Sequence, residues 1–237
     1  MPNPTAMIAM GGNSLSPKGE AGTITQQFTH TRETLDGIGH FIEHGYNLCI
    51  NHGNGPQVGN ELLRMDLTHD RAPPLPLGVC VAGTQGSIGY MIQKSLQNKL
   101  RDMNVGREVV TLVSQVIVDD NDPSGHLEGL DAVIDKDYAA ENMGRIIRAE
   151  ELWIITDVKY IYRNFGSPAQ TPIREITRME TKELYKNGEF QKCSIGPKVR
   201  AAMHFLKYHG EKVIITSIPG IKDAFKGNAG TTIRNYA

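Results

Sequence analysis

The chain has 237 residues, of which 39% are hydrophobic and 22% are charged, and its formal net charge is −1. This length and composition are typical of a globular protein with a sizeable core, organised as one large domain or two small ones. A net charge this close to zero excludes a global field that would hold nucleic acid or an anionic membrane, so any anionic ligand has to be bound by local groups.

The cysteines and the N-terminal residues indicate a reducing compartment. Cys49, Cys80 and Cys193 are far apart and form no C-x-x-C pair, which argues against a disulfide framework and against a structural zinc site. The first residues, M-P-N-P-T, lack the basic start and long apolar run of a signal peptide, and no apolar stretch reaches membrane-spanning length. The sequence therefore predicts a soluble, cytoplasmic protein with no nucleic-acid or membrane partner.

Short apolar runs alternate with helical patterns along the chain. Glu108–Val118 is the longest β-branched run and predicts a central strand. Alternating strands and helices predict an α/β fold with a mainly parallel sheet that is covered on both faces. The predicted elements are, in chain order, the strand Thr5–Met10, the helix from Thr25 to His44, the strand Tyr46–Asn51, the helices Gln57–Leu67 and Gln85–Met103, the strand Glu108–Val118, a helix from about Tyr138 to Arg148, the strand Leu152–Thr156, a helix within Ser194–Tyr208, the strand Val213–Ser217 and a last strand within Gly230–Asn235.

Two glycine-rich turns follow the first two predicted strands. The first reads M-G-G-N-S at residues 10–14, and the second reads H-G-N-G-P-Q-V-G at residues 52–59. Glycine lets the backbone approach a ligand closely, and the N–H groups at a helix start attract negative oxygens. One such turn is at least as often a packing turn as a phosphate site, but two of them, each with Asn beside Gly, favour an anion site. Neither turn matches the P-loop or the dinucleotide fingerprint, so cations for phosphate chemistry have to come from elsewhere.

Two lysines at predicted helix starts are the candidate cations. Lys136 lies between two carboxylates in A-V-I-D-K-D, and Lys198 follows Gly-Pro in S-I-G-P-K-V. A loop lysine is by default a solvated side chain, and the helix dipole disfavours a cation at the N-terminal end. An anion bound between each lysine and its helix would explain the placement.

Six segments of the chain resemble motifs of the carbamate kinases, a group within the amino acid kinase family. The likeness covers nearly the whole chain in the same order, and H-G-N-G-P-Q-V-G and A-V-I-D-K-D are its most specific parts. It implies a three-layer αβα sandwich with an eight-stranded, mainly parallel central sheet, formed by a single domain over residues 1–237 that is usually a homodimer. The segments are A-M-G-G-N-S-L, I-N-H-G-N-G-P-Q-V-G-N, G-V-C-V-A-G-T-Q-G-S-I-G-Y-M-I-Q, A-V-I-D-K-D, I-I-T-D-V-K-Y-I-Y and S-I-G-P-K-V.

The resemblance also implies a reaction and a set of residue roles. The reaction is the Mg²⁺-dependent, reversible transfer of a phosphoryl group between ATP and carbamate, which gives ADP and carbamoyl phosphate in arginine metabolism. No residue is implied as a dedicated metal ligand. By position, the resemblance implies that the phosphoryl group would be faced by Gly11, Gly12 and Asn13, and that carbamate would be held by Gly53, Asn54 and Gly55. Lys136 and Lys198 would neutralise the charge of the transferred group, and Asp137 would orient both lysines. The nucleotide would be bordered by Thr156, Asp157, Val158 and Lys198.

The resemblance breaks after D-D-N-D-P-S. Carbamate kinases carry a protruding lid there, with a P-T-K-P-I-G motif whose lysine assists catalysis, followed by a glycine-rich strand; here Ser124 runs directly into G-H-L-E-G-L-D-A-V-I-D-K-D. Three explanations stay open: the sequence omits a segment between 124 and 125, the protein lacks that segment, or a shorter relative has lost carbamate chemistry. Bonded Cα atoms of Ser124 and Gly125 would lie about 3.8 Å apart.

Two other functions compete with carbamate kinase activity. One is another small-molecule kinase of the same family, acting on a different carboxylate or phosphate. The other is a non-catalytic protein that binds nucleotide or carbamoyl phosphate without turnover. The resemblance also places Gln85 and Tyr90 on a helix at the subunit contact.

Overall fold

The computed structural model of the protein describes residues 3–12, 15–17, 19–116, 135–190, 195–208 and 210–236. The chain divides into two compact units. The first, here called the sheet unit, is made of Met1–Gly11, Asp36–His52 and Asp135–Ala237. The second, here called the helical unit, is made of Gly12–Leu35 and Gly53–Ile134.

Eight strands and seven α-helices are formed by the described residues. The strands are β1 (Thr5–Met10), β2 (Asn47–His52), β3 (Glu151–Thr156), β4 (Ile161–Arg163), β5 (Thr171–Ile173), β6 (Glu175–Thr177), β7 (Lys212–Ser217) and β8 (Thr231–Arg234). The helices are α1 (Ile24–Glu43), α2 (Gly55–Thr68), α3 (Leu77–Asp102), α4 (Lys136–Ile146), α5 (Arg178–Lys186), α6 (Ile195–Tyr208) and α7 (Ile221–Phe225), with a 3₁₀ turn at Ile218–Gly220.

The central sheet has the strand order β2-β1-β3-β7-β8-β6. The pairs β2–β1, β1–β3, β3–β7 and β6–β8 are parallel, and only β7–β8 is antiparallel. The mainly parallel α/β sheet predicted from the alternation of elements is therefore confirmed. The described residues form six of the eight implied strands in this sheet, and β4 and β5 make a separate antiparallel pair.

Side chains alternate between the two faces of the sheet, and each face is covered by helices. Met7 and Ala9 of β1 pack into an apolar cluster with residues of α4 and α6. Trp153 of β3 faces the other way, with its ring 4.7 Å from Phe41 of α1 and 4.9 Å from Phe225 of α7. Because successive residues of a strand point to opposite faces, the strands need an apolar residue at nearly every position, as the sequence provides. The predicted three-layer αβα sandwich is confirmed.

A buried carboxylate closes the amino-terminal edge of this sheet. Glu151, the first residue of β3, is 5% exposed and accepts hydrogen bonds from the Tyr46 hydroxyl at 2.8 Å, the Trp153 indole N–H at 2.8 Å and the Lys212 ammonium at 2.9 Å. Burial and the bond to Glu151 raise the pKa of Tyr46 above its ordinary value. Glu151 therefore stabilises the packing of the fold at the edge opposite to where ligands bind in α/β proteins.

The prediction that Glu108–Val118 forms a central strand is wrong over its described part. Residues 107–116 belong to no strand. Val110 and Leu112 are 75% and 78% exposed, as no central strand would be. β-Branched residues favour an extended backbone, but a place in a sheet also needs a neighbouring strand, and none lies beside this run in the described residues.

Side-chain amides of α3 hold this run in place instead of a sheet ladder. Gln85 accepts from the backbone N–H of Ser114 at 2.9 Å and donates to its carbonyl oxygen at 3.3 Å. Gln97 accepts from Val109 N–H at 3.1 Å and donates to the Arg107 carbonyl oxygen at 3.0 Å. The run is thus extended and fixed on a helix of the helical unit.

Helix boundaries also differ from the prediction. α3 begins at Leu77 rather than Gln85, and α4 begins at Lys136 rather than Tyr138. Asp135 caps α4, because its Oδ1 accepts from the Asp137 backbone N–H at 2.8 Å. The junction of residues 124 and 125 lies outside the described residues. Among those described, no helix combines the length and the apolar character needed to cross a membrane.

Candidate active site

α4 and α6 begin at the carboxyl edge of the parallel strands. α4 leads through a short loop into the start of β3, where Glu150 N–H donates to the Thr5 carbonyl oxygen at 3.0 Å. α6 leads in the same way into β7, where Glu211 N–H donates to the Glu150 carbonyl oxygen at 2.8 Å. Both helices therefore return to the amino-terminal edge, and their first residues lie at the opposite one. That carboxyl edge is where α/β sheets bind ligands.

Lys136, Asp137 and Lys198 form one ionic cluster at this edge. Lys198 Nζ lies 3.1 Å from Asp137 Oδ2, and Lys136 Nζ contacts the other oxygen, Oδ1. The side chain of Asp137 is 1% exposed, and those of Lys136 and Lys198 are 17% and 11% exposed. The three residues predicted to be catalytic are thus brought together, although 61 positions separate Asp137 from Lys198.

The electrostatics of the cluster favour an additional anion. Burial lowers the pKa of Lys136, and the charge of Lys198 lowers it further, while Asp137 acts in the opposite direction. Two ammonium groups share one carboxylate, and both lie in the first turn of a helix, where the dipole disfavours cations. A phosphoryl oxygen at this position would gain from both charges and from the helix N–H groups.

The helical unit holds most of the two glycine turns. A Cβ atom on Gly12 would lie 3.1 Å from the Gly53 carbonyl oxygen and 3.2 Å from Pro56 Cδ. The Gly12 carbonyl oxygen accepts from the backbone N–H groups of Leu15 and Ser16, each at 3.1 Å. The close approach of the two turns explains glycine at position 12.

The second turn is fixed through its asparagine. Asn54 precedes α2 but does not cap it with its side chain. Its Nδ2 donates to Thr84 Oγ1 at 2.9 Å and to the Val81 carbonyl oxygen at 3.4 Å, both on α3. Gly55, the first residue of α2, is exposed, and a Cβ there would meet no described atom within 4 Å. The start of α2 therefore combines an anchored side chain with open space for a ligand.

The residues predicted to border the nucleotide lie at the carboxyl end of β3. Thr156 is the last residue of that strand, and its Oγ1 donates to Asp157 Oδ1 at 3.0 Å. Val158 packs against the apolar core. Gly11 follows β1 at the same edge of the sheet, and Asn13 lies outside the described residues.

A second polar contact between α4 and α6 was not predicted from the sequence. His204 Nδ1 lies 3.1 Å from Glu141 Oε2, and Glu141 is 1% exposed. Glu141 lies four residues after Asp137, so the two carboxylates share one face of α4. An acidic residue four positions after Asp137, on a helix face that otherwise packs against the core, is the sequence signal that could have predicted this contact.

The profile of the amino acid kinase family matches residues 91–217, which is more than half of the chain. The chain belongs to the amino acid kinase family. Within this family it is similar to the carbamate kinase of Thermococcus kodakarensis, with 32% identity over 96% of this chain and 98% of the relative. The carbamate kinase of Pyrococcus horikoshii is 31% identical, with the same coverage of both chains. The predicted family and the predicted enzyme class, a phosphotransferase, are confirmed.

Solved structures give the same result. The carbamate kinase of Giardia lamblia, in a structure bound to AMP-PNP, superposes with a TM-score of 0.92 and 30% identity over 99% of both chains. The fold of this amino acid kinase is therefore that of the carbamate kinases.

The carbamate kinase relatives are longer than this chain. The Thermococcus alignment runs over 308 positions, which is 71 more than the 237 residues present here. At least that many positions of the alignment therefore have no counterpart in this family member. This agrees with the predicted absence of a segment.

Proposed function

We propose that this amino acid kinase is a carbamate kinase, which transfers a phosphoryl group reversibly between ATP and carbamate and forms ADP and carbamoyl phosphate. The observation that carries the proposal is the Lys136–Asp137–Lys198 cluster at the carboxyl edge of the sheet, in a chain that aligns with carbamate kinases over 96% of its length. Two converging ammonium groups are what a phosphoryl group in transfer requires.

The chemistry follows from these groups. A carbamate oxygen attacks the γ-phosphorus of ATP, the new O–P bond forms, and the bond to the β-phosphate oxygen breaks, with ADP leaving. Charge is spread over the three equatorial oxygens during transfer, and the ammonium groups of Lys136 and Lys198 stabilise it. Asp137 holds both lysines in place. Carbamate is already an anion, so the step needs no general base.

The remaining predicted residues have binding roles in this proposal. Backbone N–H groups of Gly11, Gly12 and Asn13 would face the phosphoryl group. Gly53, Asn54 and Gly55 would hold the carbamate end, and the open start of α2 at Gly55 supports this role. Thr156, Asp157 and Val158 would border the nucleotide at the end of β3.

Mg²⁺ fits this site as a companion of the nucleotide. In the part of the chain that the structure describes, no three His, Cys, Asp or Glu side chains are grouped to hold a metal ion. Mg²⁺ usually takes one or two carboxylates and completes its shell with phosphate oxygens and water. The exposed Asp157 at the end of β3 is a suitable single carboxylate. When bound, the ion would neutralise phosphate charge.

The decisive assay couples ATP formation from ADP and carbamoyl phosphate to a colour reaction. Lys136→Met and Lys198→Met should each lower kcat by about a hundredfold or more, the effect of removing one preorganised charge-stabilising donor. Lys222→Met, on the exposed side of α7, is the matched control and should retain turnover. Absence of turnover by the folded wild-type protein with these substrates would contradict the proposal. Turnover only with another acceptor would instead indicate a different small-molecule kinase.

A non-catalytic nucleotide or carbamoyl phosphate sensor is the second candidate. The lid lysine and the glycine-rich strand that the resemblance implies have no counterpart in this sequence, and their lack favours it. A sensor would show ligand-induced increases in Tm without any phosphoryl transfer. The kinase would show both.

The proposal includes a cytoplasmic homodimer that acts in arginine metabolism. Exposed apolar side chains on α3 and the following extended run support self-association, among them Tyr90 at 57% and Val110 at 75% exposure. Light scattering coupled to size-exclusion chromatography should give twice the 26.1 kDa chain mass. A concentration-independent monomer would contradict the dimer but not the activity.

A further inference from the structure

Two polar side-chain contacts connect α4 to α6. The first joins Asp137 to Lys198 at 3.1 Å near the start of both helices, and the second joins Glu141 to His204 at 3.1 Å. The two acids are about one helical turn apart on α4, and the two bases are about 9 Å apart along α6 at 1.5 Å per residue. One contact alone would let α6 pivot on α4, whereas two contacts at separate points fix its rotation and its slide.

The two helices approach closely along the face that carries these contacts. A Cβ atom on Gly144 would lie 3.0 Å from the Phe205 ring and 3.3 Å from Met7 Cβ. Ala140 and Ala202 are completely buried in the same apolar cluster. The two polar contacts add to this close packing in fixing the register of the interface.

Glu141 depends on its one histidine partner. Its side chain is 2% exposed, and Oε1 has no hydrogen-bond partner among the described residues. A buried carboxylate that loses its hydrogen-bond partner has to move, take up a proton or draw in water. The His204 ring also contacts the Tyr208 ring edge-on, with the ring centroids 5.1 Å apart.

We propose that Glu141 and His204 are positioning residues, which fix α6 against α4 and thereby hold the Lys198 ammonium against Asp137. Neither residue has to touch substrate for this role. Only the kinetic consequence rests on the proposed carbamate kinase function. The placement of Lys198 is a property of the fold and can be measured without turnover.

The test measures the exposure of Lys198 directly. Wild type and His204→Ala are treated with limiting acetic anhydride, and acetylation of each lysine is followed by mass spectrometry of proteolytic peptides. Loss of one hydrogen bond to a charged group should raise the acetylation rate of Lys198 by about five- to thirtyfold, as the closed arrangement opens more often. The exposed Lys222 serves as the internal reference and should react at an unchanged rate.

Kinetics give the second readout. A displaced Lys198 should lower kcat by about ten- to a hundredfold, the usual cost of misplacing a catalytic group by about 1 Å. The KM for ADP should stay within about twofold, since no binding group is removed. His204→Asn places an N–H donor close to the position of Nδ1 and should restore both the acetylation rate and kcat. Glu183→Gln, in an exposed pair with Lys186 on α5, is the matched control and should leave both unchanged.

The outcome of these measurements can overturn the positioning role of Glu141 and His204. Wild-type acetylation of Lys198 and wild-type kcat in folded His204→Ala would overturn the proposal. If that variant does not fold, Glu141→Leu, which keeps most of the buried volume and removes both carboxylate oxygens, should still raise Lys198 acetylation, and an unchanged rate would overturn the proposal equally. If the wild-type protein lacks turnover but His204→Ala still raises the acetylation rate of Lys198, the carbamate kinase function is refuted and the positioning role stands.

Discussion

Asp137→Asn tests the role of the ionic cluster, because one substitution removes the carboxylate that both lysines contact. The change keeps the volume of a side chain that is 1% exposed. It removes the charge that Lys136 and Lys198 share. What remains is a pair of ammonium groups, mostly buried, without their common counterion.

The size of the effect follows from the geometry. Both ammonium nitrogens contact one carboxylate, so they lie within about 8 Å of each other, and two unit charges at that distance repel by about 2 kcal/mol at an effective dielectric of about 20. Removing one partner of a buried ion pair costs about 3–5 kcal/mol. We therefore expect Asp137→Asn to lower the free energy of unfolding by about 2–5 kcal/mol at neutral pH.

The pH dependence has a definite sign. Burial already lowers the pKa of Lys136, and the substitution removes Asp137, the neighbour that most strongly raises that pKa. Between the lowered pKa and the ordinary lysine value the unfolded chain binds more protons than the folded one, so the stability of the variant should rise with pH. Turnover needs the protonated lysine and should therefore be lost on the alkaline side at a lower pH than in wild type.

Urea denaturation across pH and the coupled ATP assay measure both effects. Asp70→Asn, at a side chain that is 86% exposed, is the matched control and should change neither. Wild-type stability together with a wild-type pH profile of turnover in Asp137→Asn would refute the account of the cluster.

Three further substitutions test the local structure by urea denaturation. Asp135→Ala removes the cap that accepts from the Asp137 N–H and should cost about 1 kcal/mol of unfolding free energy, whereas an unchanged midpoint would argue against the cap. Gly89→Ala places a Cβ atom 2.2 Å from Thr111 Cγ2 and should cost about 1–3 kcal/mol; a neutral result would mean that the extended run is not held against α3. Glu151→Ala leaves three hydrogen-bond donors without their acceptor and should lower the free energy of unfolding by about 3–5 kcal/mol. The protein that remains folded should keep its turnover. A selective loss of turnover would contradict the assignment of Glu151 to the edge remote from the site.

The extended run shows where reasoning from sequence fails. β-Branched content predicted its backbone conformation, but not its place, because pairing depends on a neighbour from another part of the chain. Gln85 and Gln97 carry no local sign that their amides bind backbone groups 29 and 12 residues away in sequence. The short strands β4, β5 and β6 were missed for a related reason, since three residues show no periodicity.

The sequence by itself determined the layered α/β fold, the glycine turns and the two lysines as candidate cations. Each of these follows from local physics: apolar runs of strand length, glycine where the backbone comes close to another group, and a charge beside a helix start. The family resemblance added that Asp137 orients the lysines.

Only the tertiary structure decided which charges meet. Asp137 and Lys198 are 61 residues apart in sequence, yet parallel strands bring the starts of α4 and α6 to one edge, where the two ammonium groups face a single carboxylate. The contact between Glu141 and His204 has the same origin, since it depends on how closely α6 packs on α4. Long-range ion pairs are set by packing, and packing is not encoded within any one segment.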